Sequence, residues 1–78
     1  MFKVSIIDIK TAEVVFSGMT NSVALPGQEG EFSLLDFHQS MVSCLQKGKV
    51  EVEGNPPLAI EKGISRMEGN ELSILVER

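Results

Sequence analysis

Apolar and polar residues alternate along Lys49-Val50-Glu51-Val52-Glu53 and again along Glu71-Leu72-Ser73-Ile74-Leu75-Val76-Glu77. A period of two puts every second side chain on one face, so both segments read as half-buried strands. The same reading covers Phe2-Lys3-Val4-Ser5-Ile6, Glu13-Val14-Val15-Phe16, Ser22-Val23-Ala24-Leu25, Glu31-Phe32-Ser33-Leu34, Leu58-Ala59-Ile60 and Ile64-Ser65-Arg66-Met67. Between these runs stand turn formers: Ser17-Gly18, Pro26-Gly27, Glu29-Gly30, Lys47-Gly48, Gly54-Asn55-Pro56-Pro57, Lys62-Gly63 and Gly69-Asn70. Each supplies a positive or a fixed φ where a chain reverses. Short strands broken roughly every eight to twelve residues, with no βαβ unit, predict an all-β fold. The expected architecture is a two-sheet antiparallel β-sandwich of about eight to ten short strands, with residues 1–78 forming one domain.

One stretch departs from this rhythm. Leu34, Phe37, Met41, Val42 and Leu45 recur at three- and four-residue spacing, the mark of a helical stripe. Its short length and the strands on either side favour a loop carrying one helical turn.

Charge and composition narrow the function classes. The net charge is −4, and the cations Lys3, Lys10, Lys47, Lys49, Lys62, Arg66 and Arg78 are scattered singly, so no basic stripe is present to meet phosphates. Trp and Tyr are absent and the four Phe are dispersed, which leaves little for base stacking. Nucleic acid is not an expected partner. Cys44 is the only cysteine, which excludes an internal disulfide and predicts a reducing compartment, with the thiol buried as a small apolar group. The N-terminal run meets Asp8 too early for a secretion signal, and no apolar run approaches the roughly 18 residues of a membrane span, so no direct membrane insertion is expected. For a chain of 78 residues, burial and ordering entropy nearly cancel, so a docking partner would contribute to stability.

No reactive constellation stands out. His38 is the only histidine; Ser33, Ser40, Ser43 and Cys44 lie near it in sequence, but proximity alone makes no nucleophile and base, and a structural or interface histidine is the stronger reading. One His and one Cys form no zinc spacing, and the carboxylates lack the alternation of a calcium loop. Pro26-Gly27-Gln28-Glu29-Gly30-Glu31 lacks the Lys-Ser/Thr of a phosphate loop, and its glutamates would repel phosphate. No catalytic residue, metal or cofactor is expected. A free-standing small β-barrel that binds a peptide or nucleic acid is the competing class, disfavoured by the acidic balance and sparse aromatics.

The segment Asn21-Ser22-Val23-Ala24-Leu25-Pro26-Gly27-Gln28-Glu29-Gly30-Glu31-Phe32-Ser33-Leu34-Leu35, preceded by Val14-Val15-Phe16-Ser17-Gly18, resembles the N-terminal domain of the epsilon subunit of rotary F-type ATP synthases. The resemblance continues through His38, Leu45-Gln46-Lys47-Gly48-Lys49-Val50, Ile60-Glu61-Lys62-Gly63-Ile64 and Gly69-Asn70-Glu71-Leu72-Ser73-Ile74-Leu75-Val76, covering essentially the whole chain. Its most specific piece is Pro-Gly-x-x-Gly-Glu-Phe with a histidine seven residues after the Glu. Where the family usually carries Pro-Gly-His-x-Pro, this chain has Asp36-Phe37-His38-Gln39-Ser40, and both prolines and the glycine are gone.

The resemblance implies a β-sandwich at the foot of a central stalk, a non-catalytic coupling subunit of a proton- or sodium-translocating enzyme. It implies a hetero-oligomeric complex at the cytoplasmic face of the cell membrane, with the gamma shaft and the c subunits of the rotor ring as partners. Gln28, Glu29 and Glu31 are expected to face the polar loops of the ring. Phe37, His38 and Met41 are expected to meet the gamma shaft, with His38 as a polar anchor at the rim. The family commonly continues into two C-terminal helices that restrain ATP hydrolysis, whereas these 78 residues stop at Arg78, so this form is expected to couple without that inhibition.

Overall fold

The alternation of Phe2, Val4, Ile6 and Asp8 with more exposed neighbours is realised in β1 (Phe2–Asp8), whose alternate side chains are buried. In the computed structural model, which describes residues 1–35 and 40–78, it is followed by β2 (Glu13–Thr20), β3 (Ser22–Gly27), β4 (Gly30–Leu35), β5 (Met41–Leu45), β6 (Gly48–Val52), β7 (Leu58–Ile60), β8 (Lys62–Glu68) and β9 (Glu71–Glu77). The hydrogen-bonded path runs β2-β1-β9-β8-β5-β3-β6-β7, with β4 on β3. Between β5 and β3 a single residue pair, Gly27 and Leu45, carries the path. The sheet folds over at that point into a β2-β1-β9-β8-β5 layer and a β4-β3-β6-β7 layer. Phe2, Val4, Ile6, Met67, Leu72, Ile74 and Val76 from the first meet Val23, Leu25, Leu34, Val50, Val52 and Ile60 from the second in one apolar cluster. The expected all-β sandwich is the fold observed.

Four details correct the sequence reading. The pairing is not wholly antiparallel, because β1 runs parallel to β9 from Lys3/Glu71 to Asp8/Val76. A parallel pair needs a long crossover connection, and here the whole intervening chain supplies it. The second half of the stretch expected as a loop with a helical turn is β5, paired with β8 from Met41/Met67 to Leu45/Gly63, while residues 36–39 lie outside the described residues. Its apolar residues fall on both faces, Leu45 inward and Val42 outward, which breaks the period of two and mimics a helical spacing.

Several glycines read as turns lie inside strands. Gly18 pairs with Val4 in mid-β2, and Gly63 sits between Leu45 and Val76. A Cβ on Gly63 would stand 2.6 Å from the Leu75 carbonyl oxygen, so this position requires the absence of a side chain. Lastly, Cys44 is exposed, not buried, because it takes the outward register on β5 opposite Ile64. The β8–β9 reversal is a turn as expected: Gly69 has φ 62°, the positive value demanded at the first position of a tight hairpin.

Candidate interaction surfaces

Gln28 and Glu29 form the two-residue tip between β3 and β4, and Gly30, with φ 127°, absorbs the strain of the reversal. Strand ends cluster around this tip: the Gln28 N–H donates to the Cys44 carbonyl at 3.3 Å, and Ile9, Gln28, Leu45, Lys62 and Glu77 line one shallow recess. Most charges at this end are neutralised locally. Arg78 reaches Asp8 and Glu13, Lys10 and Lys62 share Glu77, and Lys47 reaches Glu61. Glu29 and Glu31 are exposed and, among the described residues, join no ion pair or side-chain hydrogen bond. The tip therefore carries uncompensated negative charge.

Asp8 is the buried member of that end. Its carboxylate accepts the Arg78 Nε–H at 2.8 Å, the Lys10 N–H at 2.8 Å and the Thr11 N–H at 3.3 Å, tying the last residue to the first turn. The Arg78 hydrogen bond, then that from Lys10, hold its carboxyl below the usual carboxylate range against the opposing effect of burial. A depressed folded pKa means that the stabilisation is complete above the unfolded value of about 3.9 and is lost as pH falls through the lower folded value. Unfolding titrations between about pH 5 and pH 2 should show wild type losing more stability than Asp8→Asn. Parallel pH profiles would show that the clamp contributes nothing.

The outer face of the five-stranded layer carries the second surface. Strand register aligns Val14 with Ile7, Ile7 with Leu75, Leu75 with Ile64 and Ile64 with Cys44, so one row crosses all five strands. Directly opposed side chains on one sheet face lie about 4.5–5.5 Å apart and make a continuous strip. Val14 is 61% exposed, Ile64 40% and Leu75 38%, and Ile9 and Val42 extend the strip on either side. The row is contiguous, unlike the singly scattered exposed apolar residues that are ordinary on a protein surface. The sequence reading missed this row, although Ile6-Ile7 and Ile74-Leu75-Val76 carried its signal: consecutive apolar residues in a strand put apolar groups on both faces.

Of the residues expected to bind partners, Gln28, Glu29 and Glu31 lie exposed at the tip end. Met41 is 37% exposed at the start of β5, next to Val42. Phe37 and His38 fall outside the described residues, as does any pairing of His38 with Cys44. No group of three metal-ligating side chains occurs among the described residues.

The domain is thus a two-layer β fold with an acidic tip at one end and an apolar row on one sheet face. The chain matches, over residues 1–78, the family described as ATP synthase, Delta/Epsilon chain, beta-sandwich domain, and it belongs to that family. It is 38% identical over 66 residues to an ATP synthase epsilon chain of Helicobacter acinonychis, covering 81% of this chain and 54% of the relative. It is 37% identical over 76 residues to that of Campylobacter fetus, covering 91% of this chain and 59% of the relative. The chain thus spans a little over half the length of these curated relatives. Its fold matches a chain in the cryo-EM structure of the Tetrahymena thermophila mitochondrial ATP synthase central stalk/cring, with TM-score 0.75 and 14% identity over 97% of this chain and 63% of that chain.

Proposed function

We propose that this chain is a non-catalytic central-stalk subunit of an F-type ATP synthase, joining the gamma shaft to the membrane rotor ring at the cytoplasmic face of the membrane. The observation that carries the reading is the apolar row across the five-stranded layer, a continuous strip suited to another protein. The tip and the row serve different partners. The row, extended by Val42, packs against the gamma shaft, and Met41, Phe37 and His38 are assigned to the same partner. The tip residues Gln28, Glu29 and Glu31 face the polar loops of the ring. Two separate surfaces on one domain are what a connecting subunit needs.

Affinity capture of this chain from its native cell should bring the gamma and c subunits with it, and their absence from the captured material would remove the reading. The tip is tested by Glu31→Lys. An exposed charge contributes about 1 kcal/mol or less, chiefly through association rate. The reversal should loosen ring attachment, with wild-type affinity falling as salt shortens the Debye length below about 10 Å, and leave shaft binding and the fold unchanged. Equal ring binding by the two proteins at low salt returns Glu29 and Glu31 to a solvated acidic end.

A further inference from the structure

We infer that Gly48 and Gln46, outside the β3–β4 hairpin, position its tip for docking; this rests on the reading that the tip faces the rotor ring. β3 changes neighbours along its length. Val23 and Ala24 pair with Val52 and Glu51 of β6, but Gly27 pairs with Leu45 of β5. Pro26 sits at the crossing and has no N–H to give to either neighbour. Two hydrogen bonds secure the strand beyond it: the Gln46 N–H donates to the Pro26 carbonyl at 2.9 Å, and the Gln28 N–H donates to the Cys44 carbonyl at 3.3 Å. The tip is thus stapled on both sides of the Gly27–Leu45 pair.

That arrangement depends on how closely β6 approaches Pro26. A Cβ built on Gly48 lies 2.7 Å from the Pro26 Cβ and 3.2 Å from its Cγ. Pro26 is buried and its ring cannot rotate away, so a methyl at position 48 must displace β3 and β6 relative to each other. The displacement moves the carbonyl that Gln46 holds and, one residue further, the Gly27–Leu45 pair. Gly27 has no slack to absorb it: a Cβ there would meet Phe32 at 2.7 Å and the Gly30 carbonyl at 2.8 Å, so the hairpin is already closed against itself. The strain therefore passes to Gln28 and Glu29. Gly48 bears no charge and lies outside the tip, which makes it a positioning residue and not a contact.

Amide hydrogen exchange followed by NMR, with ring and shaft binding measured on the same proteins, tests this. In Gly48→Ala the Gln28 and Gln46 amides should exchange about tenfold faster or more, while those of Ile6 and Ile74 keep their rates. Ring affinity should fall about fivefold with shaft affinity unchanged, and the loss should shrink when Gly48→Ala is added to Glu31→Lys, because both act on one contact. If Gly48→Ala does not fold, Gln46→Pro removes the donor to the Pro26 carbonyl and also fixes φ at 46 and restricts Leu45, and the same acceleration at Gln28 is expected, whereas Gln46→Ala, which keeps the N–H, should leave it unchanged. Unchanged exchange at Gln28 in a folded variant overturns the inference. So does faster exchange with ring affinity intact, provided Glu31→Lys weakens the ring contact. If Glu31→Lys is also without effect, the ring reading of the tip fails, and the exchange rates alone decide whether positions 46 and 48 hold the hairpin.

Discussion

Replacing Ile64 with glutamate is expected to lower affinity for the gamma subunit by about 30- to 1,000-fold, or roughly 2–4 kcal/mol. Ile64 stands in the row between Leu75 and Cys44, with β5, β8 and β9 side by side. Residues near the centre of a desolvated patch contribute most of the binding energy, and those at its rim mainly exclude water. A carboxylate there must be stripped of water without a partner, so the substitution removes apolar contact and adds a desolvation cost. The cations two residues to either side on β8 are already paired, Lys62 with Glu77 at 3.4 Å and Arg66 with Glu68 at 3.0 Å. Because Ile64 is on the outer face and 40% exposed, the fold should tolerate the change, with stability within about 0.5 kcal/mol of wild type. Calorimetric titration against purified gamma subunit, beside a thermal melt of each protein, separates the two effects. Wild-type affinity in a folded Ile64→Glu protein would mean that the shaft does not touch this face.

The converse behaviour is expected one strand away and one residue out of register. Ile74 is fully buried in β9, between Ile6 of β1 and Ser65 of β8. Truncation to alanine deletes buried methyl groups and leaves a cavity that the two layers cannot fully close, at a cost of about 2–5 kcal/mol. Total stability scales at roughly 0.05–0.15 kcal/mol per residue, which for this chain is about 4–12 kcal/mol. Ile74→Ala should therefore lose a large fraction of the stability, read as a fall in the urea midpoint with the slope preserved. Ser73→Ala, the adjacent residue on the exposed face, should move the midpoint hardly at all. Equal midpoints for the two variants would show that β9 does not carry the core.

Much of this was legible from residue order. β6 and β9 follow from alternation alone, because apolar side chains at every second position have one way to be buried in an extended chain. The acidic tip was also legible: Gly30 next to two glutamates can only be a reversal facing water, and the structure leaves both carboxylates exposed. The all-β class and the family resemblance needed no coordinates. What was not legible depends on which strands become neighbours. β5 reads as a helical stripe because its apolar residues serve two environments, the core at Leu45 and the outer row near Val42, and periodicity assumes one. Gly18 and Gly63 read as turns because local sequence cannot distinguish a glycine that needs a positive φ from one whose Cβ would strike a neighbouring strand. The parallel joining of β1 to β9 and the row from Val14 to Cys44 assemble residues up to 68 positions apart, Ile7 and Leu75 among them. Hydrophobic pattern specified which side of β6 and β9 is buried; only long-range pairing decided that five outward apolar residues would line up into a surface, because register between distant strands is set by packing of the whole core.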